Sequence, residues 1–128
     1  MSKTLSLNNY KSAKRYVKDM YTFELIPTDA FTQIRRAIAR GVHIKMIATK
    51  MGDKQMELIK KMSSAGVDVR YYPVGDIRIS VMDGTQSLQV IVNPDDFYDR
   101  FIIAMESPGM VKALEYYFDY IWKRAKQM

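Results

Sequence analysis

The sequence predicts a single α/β domain: a mixed β-sheet flanked by helices and closed by a long C-terminal helix. Three observations predict it. The first half alternates strand-like and helical runs, with a glycine after each helix, which is the pattern of right-handed crossovers in a parallel sheet. The second half holds short β-prone runs around Asp83-Gly84, a dipeptide that favours a tight turn and antiparallel pairing. The last stretch repeats apolar residues at helical spacing.

Taken in order, residues 1–9 read as a loose start, with Asn8 or Asn9 able to cap a helix that begins at Tyr10. Tyr10, Ala13, Val17 and Met20 form a narrow stripe that predicts this helix over 10–20. The expected division is a tail and helix over 1–21 and one domain over 22–128. Residues 22–26 are β-prone and stop at Pro27, and Thr28 can cap a helix with Asp29 in its first turn. Phe31, Ile34, Ala37 and Ile38 are its buried face, and Gly41 ends it. Residues 42–48 alternate as a strand. Residues 53–65 are helical, with Met56, Ile59 and Met62 inward and Gly66 beyond the end. Strands come next at 67–72, 77–82, 87–92 and 100–105. Ser107 caps and Pro108 opens a helix over about 110–126 whose stripe is Val111, Leu114, Phe118, Ile121, Trp122 and Ala125.

Composition bounds what such a domain can do. The chain has 128 residues, 48% hydrophobic and 27% charged, enough apolar surface for one core. There is no run of about 18 apolar residues and no apolar signal core at the start, so a cytoplasmic protein with no membrane partner is expected. The absence of cysteine and the single histidine, His43, remove disulfides, thiolate nucleophiles and Cys- or His-rich metal sites, and no cofactor is expected.

The net charge of +6 is uneven: residues 1–61 carry 13 Lys or Arg against five acids, and residues 62–128 carry seven against nine. A basic half can attract phosphate backbones. Lys11, Lys14, Arg15, Lys18, Arg35, Arg36 and Arg40 are the residues for such a face, although lysines on a helix also serve as a plain solvated surface.

Two segments invite a catalytic reading. His43-Ile44-Lys45 begins an H-x-K-x4-D pattern, in which His attacks phosphorus and Lys clamps the phosphate, but Lys50 stands where Asp is required. His43 is therefore expected to be non-catalytic. In residues 76–84, Asp76, Arg78 and Asp83 have x-Arg-x4-Asp spacing on a strand that runs into a turn. This resembles a degenerate phospholipase D motif: Asp76 stands where His would be, Arg78 where Lys would be, and Asp83 matches. Short charged spacings also recur by chance, and Arg78 and Asp83 pairing at a strand end is the plain alternative.

The order of the pieces extends the resemblance. Residues 34–45 are similar to the helix–Gly–strand of phospholipase D-like domains. Residues 101–104, then Ser107 to Phe118 and Ile121-Trp122, resemble the end of the C-terminal domain of the TrmB family of archaeal transcription regulators. The resemblance covers residues 22–126 and implies a phospholipase D-like sandwich. In that family a winged helix binds DNA, while the phospholipase D-like domain binds a small effector, often a sugar, or dimerises. Residues 1–21 are too few for a winged helix, so an effector domain apart from its DNA-binding partner, or a stand-alone relative, is expected. The resemblance assigns Asp76, Arg78 and Asp83 to ligand binding, with Tyr72 or Trp122 covering an apolar sugar face. Core packing is the plainer role for Trp122.

Three functions are therefore expected. The first is a non-catalytic regulatory domain that binds a sugar-like effector, forms a homodimer through Tyr116, Tyr117 and Tyr120, or both. The second is a stand-alone nucleic-acid-binding protein using the basic face. The third is a phosphodiesterase built from two chains, which would need the His that Asp76 replaces. The ten methionines suit an adaptable core.

Overall fold

In the computed structural model, which describes residues 10–23, 28–75, 77–84, 86–88, 104–105 and 107–128, the elements in chain order are β1 (Tyr16–Tyr21), α1 (Thr28–Ala39), β2 (His43–Ala48), α2 (Asp53–Ser64), β3 (Asp68–Tyr71), β4 (Ile79–Met82), β5 (Gln86–Leu88), β6 (Ala104–Met105), α3 (Pro108–Arg124) and β7 (Lys126–Gln127). The sheet order is β6-β5-β4-β1-β2-β3-β7. β1, β2 and β3 are parallel, joined across α1 and α2, and the outer strands run antiparallel.

The helix expected over 10–20 is corrected: residues 10–12 are helical, and Tyr16–Tyr21 is the central strand. The physical reason is burial on both sides. Val17 and Tyr21 pack toward α1 and α2 while Met20 packs toward α3, so the strand shows no clean alternation. The expected boundary after residue 21 falls at the end of this central strand. Of the run expected over 22–26, Thr22 and Phe23 come after β1 without strand pairing, and 24–26 lie outside the described residues. Residues 1–9, 89–92 and 100–103 also lie outside them.

The remaining elements obey their residue patterns. Ala30, Ile34 and Ala37 recur at helical spacing and are buried on α1. Ile59 and Met62 do the same on α2. Asp83 and Gly84 both take positive φ, 55° and 71°, which gives the tight turn between β4 and β5. Pro108 opens α3 behind an extended Ser107, whose side chain makes no capping bond. α3 ends at Arg124, two residues short of the expected end at Lys126, and Lys126 and Gln127 leave it to pair with β3 as Arg70↔Gln127 and Tyr71↔Lys126. That short strand covers an otherwise open sheet edge.

The sheet separates two cores. Val17, Ile34, Ile44, Met46, Ile59 and Val69 belong to the α1/α2 side. Met20, Ile47, Ile79, Val81, Phe118 and Trp122 belong to the α3 side. Among the described residues no helix is long and apolar enough to cross a membrane.

Candidate functional site

The carboxyl ends of the parallel strands are where open α/β sheets place ligands, outside the sheet and where strand direction changes. Here that change lies between β1 and β4, and Arg78 precedes β4 directly beside the end of β1. Its guanidinium lies over the Tyr21 ring, 5.0 Å from the centroid. Beneath it is Asp19, 1% exposed, whose carboxylate accepts a hydrogen bond from the Tyr10 hydroxyl. Ser80 is Asp19's cross-strand neighbour on β4. Burial raises the Asp19 carboxyl above its ordinary value, and the positive charge of Arg78 with the Ser80 and Tyr10 hydroxyls pulls it part of the way back. Burial, and after it the charge of Asp19, pushes the Tyr10 hydroxyl up, and burial raises Tyr21 in the same way.

Two further residues define this end of the sheet. Phe23 stacks on Tyr21 at 4.4 Å between centroids and holds a positive φ of 57°, which is costly for a residue with a large side chain. Thr49 comes directly after β2, is 2% exposed, and its hydroxyl has no hydrogen-bond partner among the described residues. A guanidinium over an aromatic ring, with a buried carboxylate as its nearby countercharge, can bind an anion or a pair of hydroxyls. The sequence pattern did not mark Asp19, Tyr10, Tyr21 or Thr49 as site residues. The available signal was Asp19 inside Tyr16–Tyr21, a run whose aromatic and β-branched residues favour a strand.

The expected ligand set is not gathered at one point. Asp83 lies at the other end of β4 from Arg78, five residues away, or about 16 Å along an extended chain. Its carboxylate accepts hydrogen bonds from the backbone N–H groups of Lys14, Arg15 and Tyr16 at 3.0, 2.8 and 2.9 Å. Partial burial opposes its charge, but those donors and Arg15 outweigh it and hold the carboxyl below its usual value. Asp76 lies outside the described residues. Tyr72 and Trp122 pack in the α3-side core, across the sheet from Asp19, and Trp122 is buried there at 7% exposure. His43 is exposed at the start of β2.

The basic residues divide between places. Arg40 donates to the carbonyls of Tyr10, Lys11 and Ala13, which draws the end of α1 against the exposed Lys11, Lys14 and Arg15. Arg35 and Arg36 are exposed on α1. Lys18 is elsewhere: it points toward α3 and bonds Glu115 at 2.7 Å and Asp119 at 2.8 Å. Burial lowers its affinity for a proton, yet those two carboxylates outweigh burial and raise it. Among the described residues no cluster of His, Cys, Asp and Glu could hold a metal ion.

Solved structures share this architecture closely. Nuc from Salmonella typhimurium, a phospholipase D family member, superposes with a TM-score of 0.77 at 14% identity, over 98% of this chain and 89% of its own. NucT from Helicobacter pylori does so with a TM-score of 0.74 at 11% identity, over 98% and 89%. The fold is phospholipase D-like. TrmBL2, an archaeal chromatin protein with a novel mode of DNA binding, superposes with a TM-score of 0.76 at 15% identity, over 99% of this chain and 51% of its own. This phospholipase D-like chain thus spans about half of TrmBL2. No protein-family model matches its sequence, and no curated protein matches it.

Proposed function

We propose that this chain is a non-catalytic phospholipase D-like regulatory domain that binds a small polar, sugar-like effector and forms homodimers, serving a transcription regulator of the TrmB kind. The observation that carries the reading is Arg78, anchored over Tyr21 and above the buried Asp19 at the carboxyl ends of the strands. Arg78 would donate to effector oxygens, and Asp76, two residues earlier in the sequence, would accept from its hydroxyls. Asp19 positions Arg78, and Asp83 pins the turn to the start of β1. An Asp at 76 cannot form the phospho-histidine that the motif's hydrolysis requires. The likeness to TrmBL2, over half of that protein, supports the regulatory context.

The test is a thermal-shift screen of mono- and disaccharides and nucleotides, run on the parent and on Arg78→Ala, with light scattering for the dimer. A ligand that raises the melting temperature of the parent and leaves Arg78→Ala unmoved supports the reading. Hydrolysis of a generic phosphodiester that Arg78→Ala abolishes would overturn it in favour of the two-chain phosphodiesterase.

A second reading has its own observation. Arg40 gathers Lys11, Lys14 and Arg15 at one end of the domain, a cationic cluster suited to a duplex phosphate backbone. Duplex binding that weakens steeply with salt, and that Lys11→Ala with Lys14→Ala removes, would favour direct DNA binding there.

A further inference from the structure

The sheet face opposite Asp19 carries an open groove of about 620 Å³, bordered by α3 and by side chains of β1 and β2. Lys45, Tyr116, Tyr120, Trp122, Lys123 and Arg124 line it. Lys18 and Asp119 also line it, and they bond each other, so their charges cancel. Lys45, Lys123 and Arg124 have no carboxylate partner among the described residues, which leaves the groove a surplus of positive charge.

The rings are arranged for stacking. Tyr116 and Tyr120 are 67% and 55% exposed, far more than a core requires. Four residues apart on one helix, they project from the same side about 6 Å apart along the axis. Arg124 covers one face of Tyr120 at 3.6 Å and donates to the Tyr120 carbonyl, which fixes a flat cationic platform. At the inner wall Lys45 and Arg70 sit over Trp122 at 5.2 and 4.2 Å, and Arg70 bonds the Trp122 carbonyl.

We infer that this groove binds a single-stranded polynucleotide, with bases stacked on Tyr116 and Tyr120 and phosphates held by Lys45, Lys123 and Arg124. Exposed rings beside unpaired cations are what such a strand requires. A duplex keeps its bases stacked on one another and leaves the tyrosines without a partner. An acidic protein surface would use the cations but not the spacing of the rings. The inference is independent of the effector reading, because Arg78 lies across the sheet.

Trp122 is the single tryptophan of the chain, so its emission reports on this groove alone. The experiment titrates the full chain with oligo(dT) and oligo(U) of roughly 12 nucleotides, and with a duplex of the same length. Trp122 emission and the anisotropy of labelled oligonucleotide are recorded together. The expected result is a saturable change in both signals, with single strands at least tenfold tighter than duplex. Three neutralised phosphates give a log–log salt slope of about −2. Comparing the two oligonucleotides shows whether the 2′-hydroxyl contributes.

Tyr120→Ala and Lys123→Ala change exposed side chains and leave the fold intact, as a circular-dichroism melt verifies. Each is expected to weaken binding by about tenfold, while Lys11→Ala does not. The inference fails if the oligonucleotide binds without moving Trp122 emission, if these variants bind as the parent does, or if no strand binds.

Discussion

Lys18 and Asp19 are neighbours on β1, yet the two faces of the sheet treat them differently. Lys18 reaches α3 and meets two carboxylates, Glu115 and Asp119, with its side chain 13% exposed. Asp19 turns toward α1 and α2, is 1% exposed, and meets a neutral hydroxyl from Tyr10 with Arg78 as the nearby countercharge. On the α3 face the Lys18 charge is paired and close to water, where removal of one partner is tolerable. The α1/α2 face hides a carboxylate under a cation that also faces the carboxyl ends of the strands. A hidden charge of this kind is expensive as structure, which is the reason to read it as part of a site.

The largest expected effect tests that asymmetry. Asp19→Ala leaves the Tyr10 hydroxyl without its buried acceptor and Arg78 without its nearby countercharge, and is expected to cost about 3 kcal/mol in a denaturant melt. Its pH signature is separable in Asp19→Asn. Burial raises the folded carboxyl, so the folded chain holds this proton more tightly than the unfolded chain, whose carboxyl titrates at about 3.9. The parent therefore loses stability as pH rises from that value through the raised one, and Asp19→Asn gains relative to it over the same window.

Asp83 has the opposite sign. Three backbone N–H groups hold its carboxyl down, so its contribution is present above about 3.9 and is lost as pH falls through the lowered folded value. Asp83→Ala is expected to cost about 2 kcal/mol at neutral pH. The disadvantage of Asp83→Asn should shrink on acidification. Stability curves of both Asn variants, run from well below the unfolded carboxyl value of about 3.9 up to neutral pH, check the pair, and parallel slopes would erase the contrast.

The same two regions show what a sequence can carry. Arg78 and Asp83 were visible as a spacing, because spacing survives in one dimension. Their separation was not, because it depends on Asp83 bonding residues 14–16, nearly seventy positions upstream. β2, α2 and β3 were legible because each buries a regular pattern and lies next to a glycine of positive φ, Gly41 or Gly66. β1 was not, because a strand covered on both faces loses its alternation, and its Lys18 is answered by residues about a hundred positions away on α3. The exposed tyrosines of α3 were legible as more aromatic surface than one helix can bury, and Tyr116, Tyr117 and Tyr120 are indeed 67%, 36% and 55% exposed.

Smaller effects sharpen the comparison from the α3 side. Gly84 has a φ of +71°, and a Cβ there would meet the Tyr16 hydroxyl at 2.7 Å. That hydroxyl donates to Glu115, so Gly84→Ala strains the turn and disturbs the acceptor that Lys18 shares. The expected cost is about 1.5 kcal/mol by thermal or denaturant melt.

Lys18→Met is the smallest and the most diagnostic. It removes both ion pairs and leaves Glu115 and Asp119 four residues apart on α3 with no cation between them. Those carboxylates are 21% and 44% exposed and can turn to water, so the loss is expected to be about 1 kcal/mol or less. Salt should reduce it, since the repulsion left behind is screened. The cost of Asp19→Ala should be nearly unchanged by salt, because its surroundings admit no counterions. If Lys18→Met costs as much as Asp19→Ala, or if salt acts equally on both, the two faces do not differ in the way their geometry implies. The case for Asp19 as the hidden anchor of Arg78 would then lose its main support.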